Sequence, residues 1–264
     1  MLHLFVEKSD ALSCLQCLHC LNWFVAPLRD AKIPAMNADL PLSLVEKPRA
    51  LHEDKHLLVL FKPHEMLSVP GRGEHKLDSL AWRAQQYWKN ALIVHRLDMS
   101  TSGILVLARN PDVHRQLSMA FAERRIHKRY TAVVEGVMAA PESDDGWGLI
   151  DKPLILDWER RPLHVVDFEK GKPSQTRWRI LPTPDGAPSY PIAHTRLDLE
   201  PFTGRTHQLR VHLQSIGHTM LGDPLYAQGE TLAAAPRLLL HARELGFTHP
   251  VTGKDLFFEV PAAF

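Results

Sequence analysis

The sequence predicts an α+β fold, a large and mostly antiparallel sheet with a few flanking helices. Three observations predict it. Nine short runs rich in leucine, β-branched and aromatic residues recur along the chain, each bounded by Pro, Gly, Asp or Asn. Helical patterning is confined to three segments. No long linker, internal repeat or low-complexity tract divides the body, so strands and helices share one core.

The elements follow in order. Residues 56–62 (HLLVLFK) form the first strand. Asp78 stands where it would cap a helix over 79–88 (SLAWRAQQYW). Residues 91–97 (ALIVHRL) and 103–109 (GILVLAR) read as two strands paired through the bend between them. Residues 111–125 open with Pro111 at a first-turn position and close with Arg124 and Arg125, which suits a helix dipole. Strands are predicted at 130–136, 163–169, 175–181 and 193–200, and alternation is clearest in the last. Residues 206–216 carry Leu209, Leu213 and Ile216 on one helical stripe, with Gly217 as the stop. Strands at 236–242 and 256–260 complete the set.

The chain has 264 residues, 45% hydrophobic and 23% charged, with a formal net charge of +1. That composition is ordinary for a globular protein with a sizeable core. It excludes a histone-like basic protein but allows a nucleic-acid binder with a local basic patch. No apolar run reaches 18 residues, so no membrane span is expected. Cys14, Cys17 and Cys20 are the three cysteines. They lack a fourth ligand, so metal binding is not expected there, and a cysteine-free body fits a reducing cytoplasm. Glu7, Lys8 and Asp10 interrupt any signal-peptide core. Residues 1–35 therefore read as an extension outside the core fold, of the kind an upstream start site would leave before Met36. Residues 36–264 read as a single domain.

Three constellations carry chemistry. In 95-HRLDMSTSG-103, a cation and an acid stand at the bend between two strands. Functional residues favour such loops, although Asp, Ser and Thr are also common turn formers. In 202-FTGRTHQLRVHLQSIGHTMLGDPLY-226, Arg205 precedes a helix. His207, Arg210 and Gln214 would form a polar stripe opposite the leucines, near a helix start suited to phosphates. A solvated helix face is the alternative. In 123-ERRIHKRY-130, basic residues lead into an aromatic at a strand start, a combination found in nucleic-acid grooves. It is equally a charged helix end.

HRLDxxTSG, KRY, GRTHQLRVH, GDPLY and LLLHA in this order resemble the RNA pseudouridine synthase family. Within it, the match is to the A type among the synthases of ribosomal RNA, whose members modify both large-subunit rRNA and tRNA. Residues 62–72 (KPHEMLSVPGR) and 237–250 (RLLLHARELGFTHP) strengthen that match. So does 154-LILDWERRP-162, although similar proteins favour Pro-Asn where this chain has Glu159 and Arg160. The resemblance runs from about residue 42 to the C-terminus. It implies the synthase fold around a central RNA-binding cleft, without a separate N-terminal RNA-binding domain. It implies a cytoplasmic enzyme acting on stem-loops of 23S rRNA and tRNA, with no cofactor, no metal and no obligatory protein partner.

The resemblance also implies roles. Asp98 matches the catalytic aspartate. Tyr130 matches the active-site tyrosine, which stacks on the target base and assists proton removal. Arg210 matches the arginine that pairs with the aspartate, and Arg96 the one that enters the RNA stack as the base leaves. Leu240 falls in an apolar motif lining the pocket. His95, Lys128, Arg129, Arg205 and His207 stand around them as RNA-binding candidates.

These residue types suit the reaction. The N1–C1′ bond of uridine breaks, the base turns, and C5 joins C1′, so nothing is oxidised or hydrolysed. One ionised carboxylate suffices, attacking the sugar or the base or removing a ribose proton. A neighbouring arginine favours its charged form. The base must leave its stack, which costs a few kcal/mol and least in a loop. The alternatives are the same chemistry on other rRNA or tRNA uridines, or an RNA-binding protein without activity. A glycoside hydrolase would need two flanking carboxylates.

Overall fold

The fold is built around one strand with no exposed residue. β4 (Ser102–Ala108) is buried along its whole length, because its SGILVLA run is apolar on both sides. Ile104, Val106 and Ala108 pack on one face with Val113, Leu117 and Ala120 of α2 (Pro111–Ala122). Leu105 and Leu107 pack on the other with Leu80 and Ala84 of α1 (Leu80–Tyr87). The computed structural model describes residues 45–73 and 76–264. The expected extension over 1–35, with Cys14, Cys17 and Cys20, lies outside the described residues.

The remaining strands are β1 (Ala50–Glu53), β2 (Leu57–Lys62), β3 (Leu92–Ile93), β5 (His127–Glu135), β6 (Gly148–Asp151), β7 (Leu154–Leu156), β8 (His164–Val166), β9 (Gln175–Ile180), β10 (His194–Pro201), β11 (Leu240–Thr248) and β12 (Asp255–Glu259). Two short helices, α3 (Gln208–Gln214) and α4 (Gly229–Ala233), complete the described set. Ten strands form one sheet in the order β1-β2-β4-β11-β5-β10-β9-β6, with β12 on β11 and β3 on β4. All pairings in it are antiparallel except β11 with β4. The α+β class and the mostly antiparallel sheet are therefore as the sequence predicts. β7 and β8 stand apart as a two-stranded hairpin.

Local departures have local causes. Ser79, not Asp78, caps α1: its side chain accepts the Trp82 N–H, while Asp78 pairs with Arg83 at 2.7 Å. Asn110 caps α2, which ends at Ala122, so Arg124 and Arg125 lie beyond it and Arg125 pairs with Glu123. Of the predicted strand 91–97 only Leu92 and Ile93 pair, with Ala108 and Leu107. The rest is loop, and it carries Asp98. The strand predicted at 236–242 begins only at Leu240 and runs on to Thr248 past a bulge at Arg243.

One parallel contact places the Asp98 loop. Gly103 stands opposite Ala242 with φ +129, and any Cβ there would collide with the Ala242 backbone. A glycine is needed to let β4 meet β11. The loop before it thus emerges beside Leu240 and Tyr130, which belong to the neighbouring strands β11 and β5.

Candidate active site

Asp98 sits in the loop between β3 and β4, with its side chain 22% exposed. Lys62 fixes that loop from beneath. It is fully buried at the end of β2, and its Nζ donates to the carbonyls of Pro63 (2.9 Å), Met66 (2.7 Å) and Met99 (3.0 Å). All three ammonium donors are used, and one of them holds the residue next to Asp98. Burial pushes the Lys62 amine down to about 7, against the opposing pull of Asp98. Ser68 adds a second tie: its hydroxyl donates to the Leu97 carbonyl and accepts the Leu97 N–H.

Arg210 reaches Asp98 from α3. Its Nη1 lies 3.4 Å from Asp98 Oδ2. Its tighter partner is Asp223, through Nε at 2.8 Å and Nη2 at 2.5 Å. Both groups are almost completely buried. An arginine at that depth needs a full carboxylate partner, and Asp223 is that partner rather than Asp98. Asp223 also accepts the N–H groups of Leu225 and Tyr226. The preceding Gly222 makes the turn possible, with φ +66 and the Arg237 carbonyl where a Cβ would stand. The GDPLY motif is therefore a mount for Arg210.

His207 caps the start of α3 in the left-handed region, φ 56, and its ring faces inward. Nε2 lies 3.9 Å from Asp98 Oδ2, and Nδ1 meets the Tyr226 hydroxyl at 2.8 Å. That hydroxyl also accepts the backbone N–H of His164 at 2.9 Å. Burial pushes His207 down to about 4, so the ring is neutral at pH 7. The polar stripe expected on a solvated helix face is not present. Gln208 through Leu213 are all buried, because α3 packs between β10 and the β7–β8 hairpin.

Tyr130 stands on β5, paired with Ala242 on one side and Leu199 on the other. It packs between the clusters around Leu240 and around Leu97. Burial and then the Asp98 charge push its phenol above the usual tyrosine range, so it is protonated at neutral pH. Leu240 is buried beside it, in contact with Leu209 and Leu213 of α3.

The remaining predicted residues divide. Arg96 is exposed, two positions from Asp98, and makes no ion pair with another described residue. Arg205 lies before α3, with Nε 3.4 Å from the Pro173 carbonyl. Lys128 and Arg124 line a cavity of about 230 Å³ at the end of the β5–β10 pair, with Phe121 and Phe202 as apolar walls. Burial, with Arg124 adding to it, pushes the Lys128 amine down to about 8. His95 is turned into the body of the fold. It stacks on Phe121 at 4.4 Å, accepts the Val106 N–H, and is pushed by burial down to about 3. Arg129 points to the opposite face of the sheet, where it meets Asp198 and Glu200 and lies 4.3 Å over Trp147. Sequence reasoning gave no role to Lys62, His164, Asp223 or Tyr226. For Asp223 a signal existed: a buried arginine demands an acid, and GDPLY holds one.

The profile of the RNA pseudouridylate synthase family matches residues 56–215, which span the loop of Asp98, the strand of Tyr130 and the helix of Arg210. The chain belongs to that family. It is an RNA pseudouridine synthase, an isomerase that converts uridine to pseudouridine within RNA. It is 45% identical over 215 residues to the dual-specificity RNA pseudouridine synthase RluA of Escherichia coli (strain K12), covering 81% of this chain and 93% of the relative. It is 44% identical over 214 residues to the protein of the same name from Yersinia pestis, covering 81% and 98%. Among solved structures, human RNA pseudouridylate synthase domain containing 1 matches with a TM-score of 0.65 at 25% identity, over 82% of this chain and 84% of that one. No helix among the described residues of this synthase is long and apolar enough to cross a membrane.

Proposed function

We propose that Asp98 is the reacting carboxylate of this synthase, and that its substrates are stem-loops of both large-subunit (23S) rRNA and tRNA. The observation that carries the first part is the asymmetry between two neighbouring acids. Asp223 lies on the same arginine but is buried, with its oxygens taken by Arg210, Leu225 and Tyr226. Asp98 keeps a partly exposed side chain and a single long contact to Arg210. One open carboxylate suits an isomerisation that needs one. A glycoside hydrolase would need a second carboxylate free to act on the bond, and Asp223 is not free.

The other roles follow from position. Tyr130, protonated and packed against apolar residues, is a face on which a flipped uracil stacks. Arg210 holds Asp98 in place. Arg96, exposed and with no ion pair among the described residues, fills the gap left in the RNA stack and lowers the cost of flipping. Arg205, Arg124 and Lys128 meet phosphates of the same strand. His207 orients the Asp98 carboxylate rather than an RNA phosphate, since its ring is neutral and inward. His95 and Arg129 are structural in this reading. Dual substrate choice is supported by the dual specificity named for the relatives, which are 44–45% identical over most of the chain. A cytoplasmic location follows from the RNA substrates.

The test is tritium release from RNA labelled at uridine C5, with a tRNA transcript and a large-subunit rRNA hairpin as substrates. C5 loses its hydrogen only when it becomes the glycosidic carbon. Release from both RNAs, absent in Asp98→Ala, is the expected result. Release from one alone would refute dual specificity, and release by the variant would refute the role of Asp98.

A further inference from the structure

The β7–β8 hairpin carries a turn, residues 157–163, that holds an aromatic ring in solvent. Trp158 is 66% exposed, although tryptophan is usually buried for most of its surface. The turn itself is well bonded. Asp157 accepts the N–H groups of Glu159 and Arg160 and pairs with the Arg160 side chain at 2.8 Å. Its own N–H donates to the Leu163 carbonyl, and the Leu163 N–H donates to that of Arg160. Arg161 donates to the Trp158 carbonyl and lies 4.8 Å over the indole. The turn is therefore held by its own hydrogen bonds while the ring stays largely exposed, with an arginine over one face.

The foot of this hairpin stands on the candidate active site. Leu156 pairs with His164. The His164 ring meets His207 edge-on at 5.3 Å, and its N–H bonds to Tyr226. Trp158 lies two residues past Leu156, which is at most about 7 Å of chain. An RNA loop with one uridine in the pocket lays its neighbouring nucleotides on the surface around that pocket, and flipping leaves those neighbours without a stacking partner.

We propose that Trp158, backed by Arg161, is a stacking platform for a base next to the target uridine in the RNA strand. The inference rests on the reading of this site as an RNA synthase and adds to it a recognition element outside the reacting groups. Stacking on an indole accepts any base, because every base has a π-face. The platform thus selects for loop shape, namely an unpaired base at the right distance from the flipped one. A protein partner on this ring would give the same exposure, but it would not require the hairpin to stand beside Asp98.

Anisotropy titration of a labelled uridine-containing stem-loop tests it, using full-length wild type, Trp158→Ala, Trp158→Phe and Phe168→Ala. Phe168 is a similarly exposed aromatic, at 76%, in the turn after β8. Trp158→Ala should weaken binding about 5- to 150-fold, as loss of one stacked base does, and should raise KM for tritium release more than it lowers kcat. Trp158→Phe should keep most of the affinity, and Phe168→Ala all of it. Wild-type affinity in Trp158→Ala, or an equal loss in Phe168→Ala, overturns the platform. If the wild type releases tritium while Trp158→Ala binds normally, the platform alone fails. If the wild type neither binds nor releases, the RNA reading fails and takes the platform with it.

Discussion

Asp198 and Asp98 both sit beside arginines, and they are finished differently. Asp198 on β10 is completely buried and ringed by Arg179 at 2.9 Å, Arg243 at 3.5 Å and Arg129 at 3.7 Å. Arg129, Arg177 and Arg179 in turn lie under Trp147, which closes the cluster over. Asp98, close to the opposite face of the same sheet at Tyr130, has one arginine at 3.4 Å and an open side. Residue types are shared, so type alone does not separate a structural ion network from a reacting group. What separates them is whether the carboxylate has an oxygen left over. An acid ringed by three cations is a cross-link between strands, while an acid with one distant cation is held in place and still available.

The sharpest way to break this comparison is Asp98→Asn. It should cut tritium release by at least roughly 10²–10⁴-fold, the scale for losing a group that acts on a proton, while RNA affinity stays at the wild-type level. Substantial residual turnover would mean that the open carboxylate is not the reacting one. Asp198→Asn should do the reverse. Removing one partner of a buried ion network costs about 3–5 kcal/mol, read as a lower urea midpoint, with turnover per folded molecule unchanged. A variant as stable as wild type would show that the closed network contributes nothing.

Two smaller effects sharpen it. Arg96→Ala should lower turnover on the order of tenfold, the scale of part of a base-flipping cost of a few kcal/mol, and lower RNA affinity less. An equal loss in both would make Arg96 an ordinary phosphate contact. Lys128 should give RNA binding a pH dependence. Its amine, pushed down to about 8, is charged below that value and neutral above it. Affinity should therefore fall modestly from pH 7 to pH 9, and Lys128→Gln should be flat across that window. An identical fall in the variant would place the titration elsewhere.

Much was legible in the sequence because local signals are strong where the core is continuous. The SGILVLA run can only be an interior strand, and Pro111 after Asn110 can only open a helix. The order of the motifs was enough to bring Asp98, Tyr130 and Arg210 into one site. Less legible was how far each apolar run stays in the sheet. Residues 94–97 (VHRL) continue the run read as a strand but leave the sheet, where Ser68 holds Leu97 and Lys62 holds the Met99 carbonyl.

The sequence by itself determined the class of fold, the family chemistry and which acid is the candidate for the reacting group. All of these depend on neighbours within a few residues, or on motifs read in order. The tertiary structure decided who pairs with whom. Asp98 and Arg210 are 112 residues apart, and whether that arginine belongs to Asp98 or Asp223 depends on which carboxylate the fold buries beside it. The same holds for His207, an RNA-binding candidate on a polar helix stripe that is turned inside, and for Arg129, an RNA-binding candidate found in an ion network on the far face. A buried charge must find its partner wherever the chain brings one. That search runs through space, and no spacing along the sequence encodes its result.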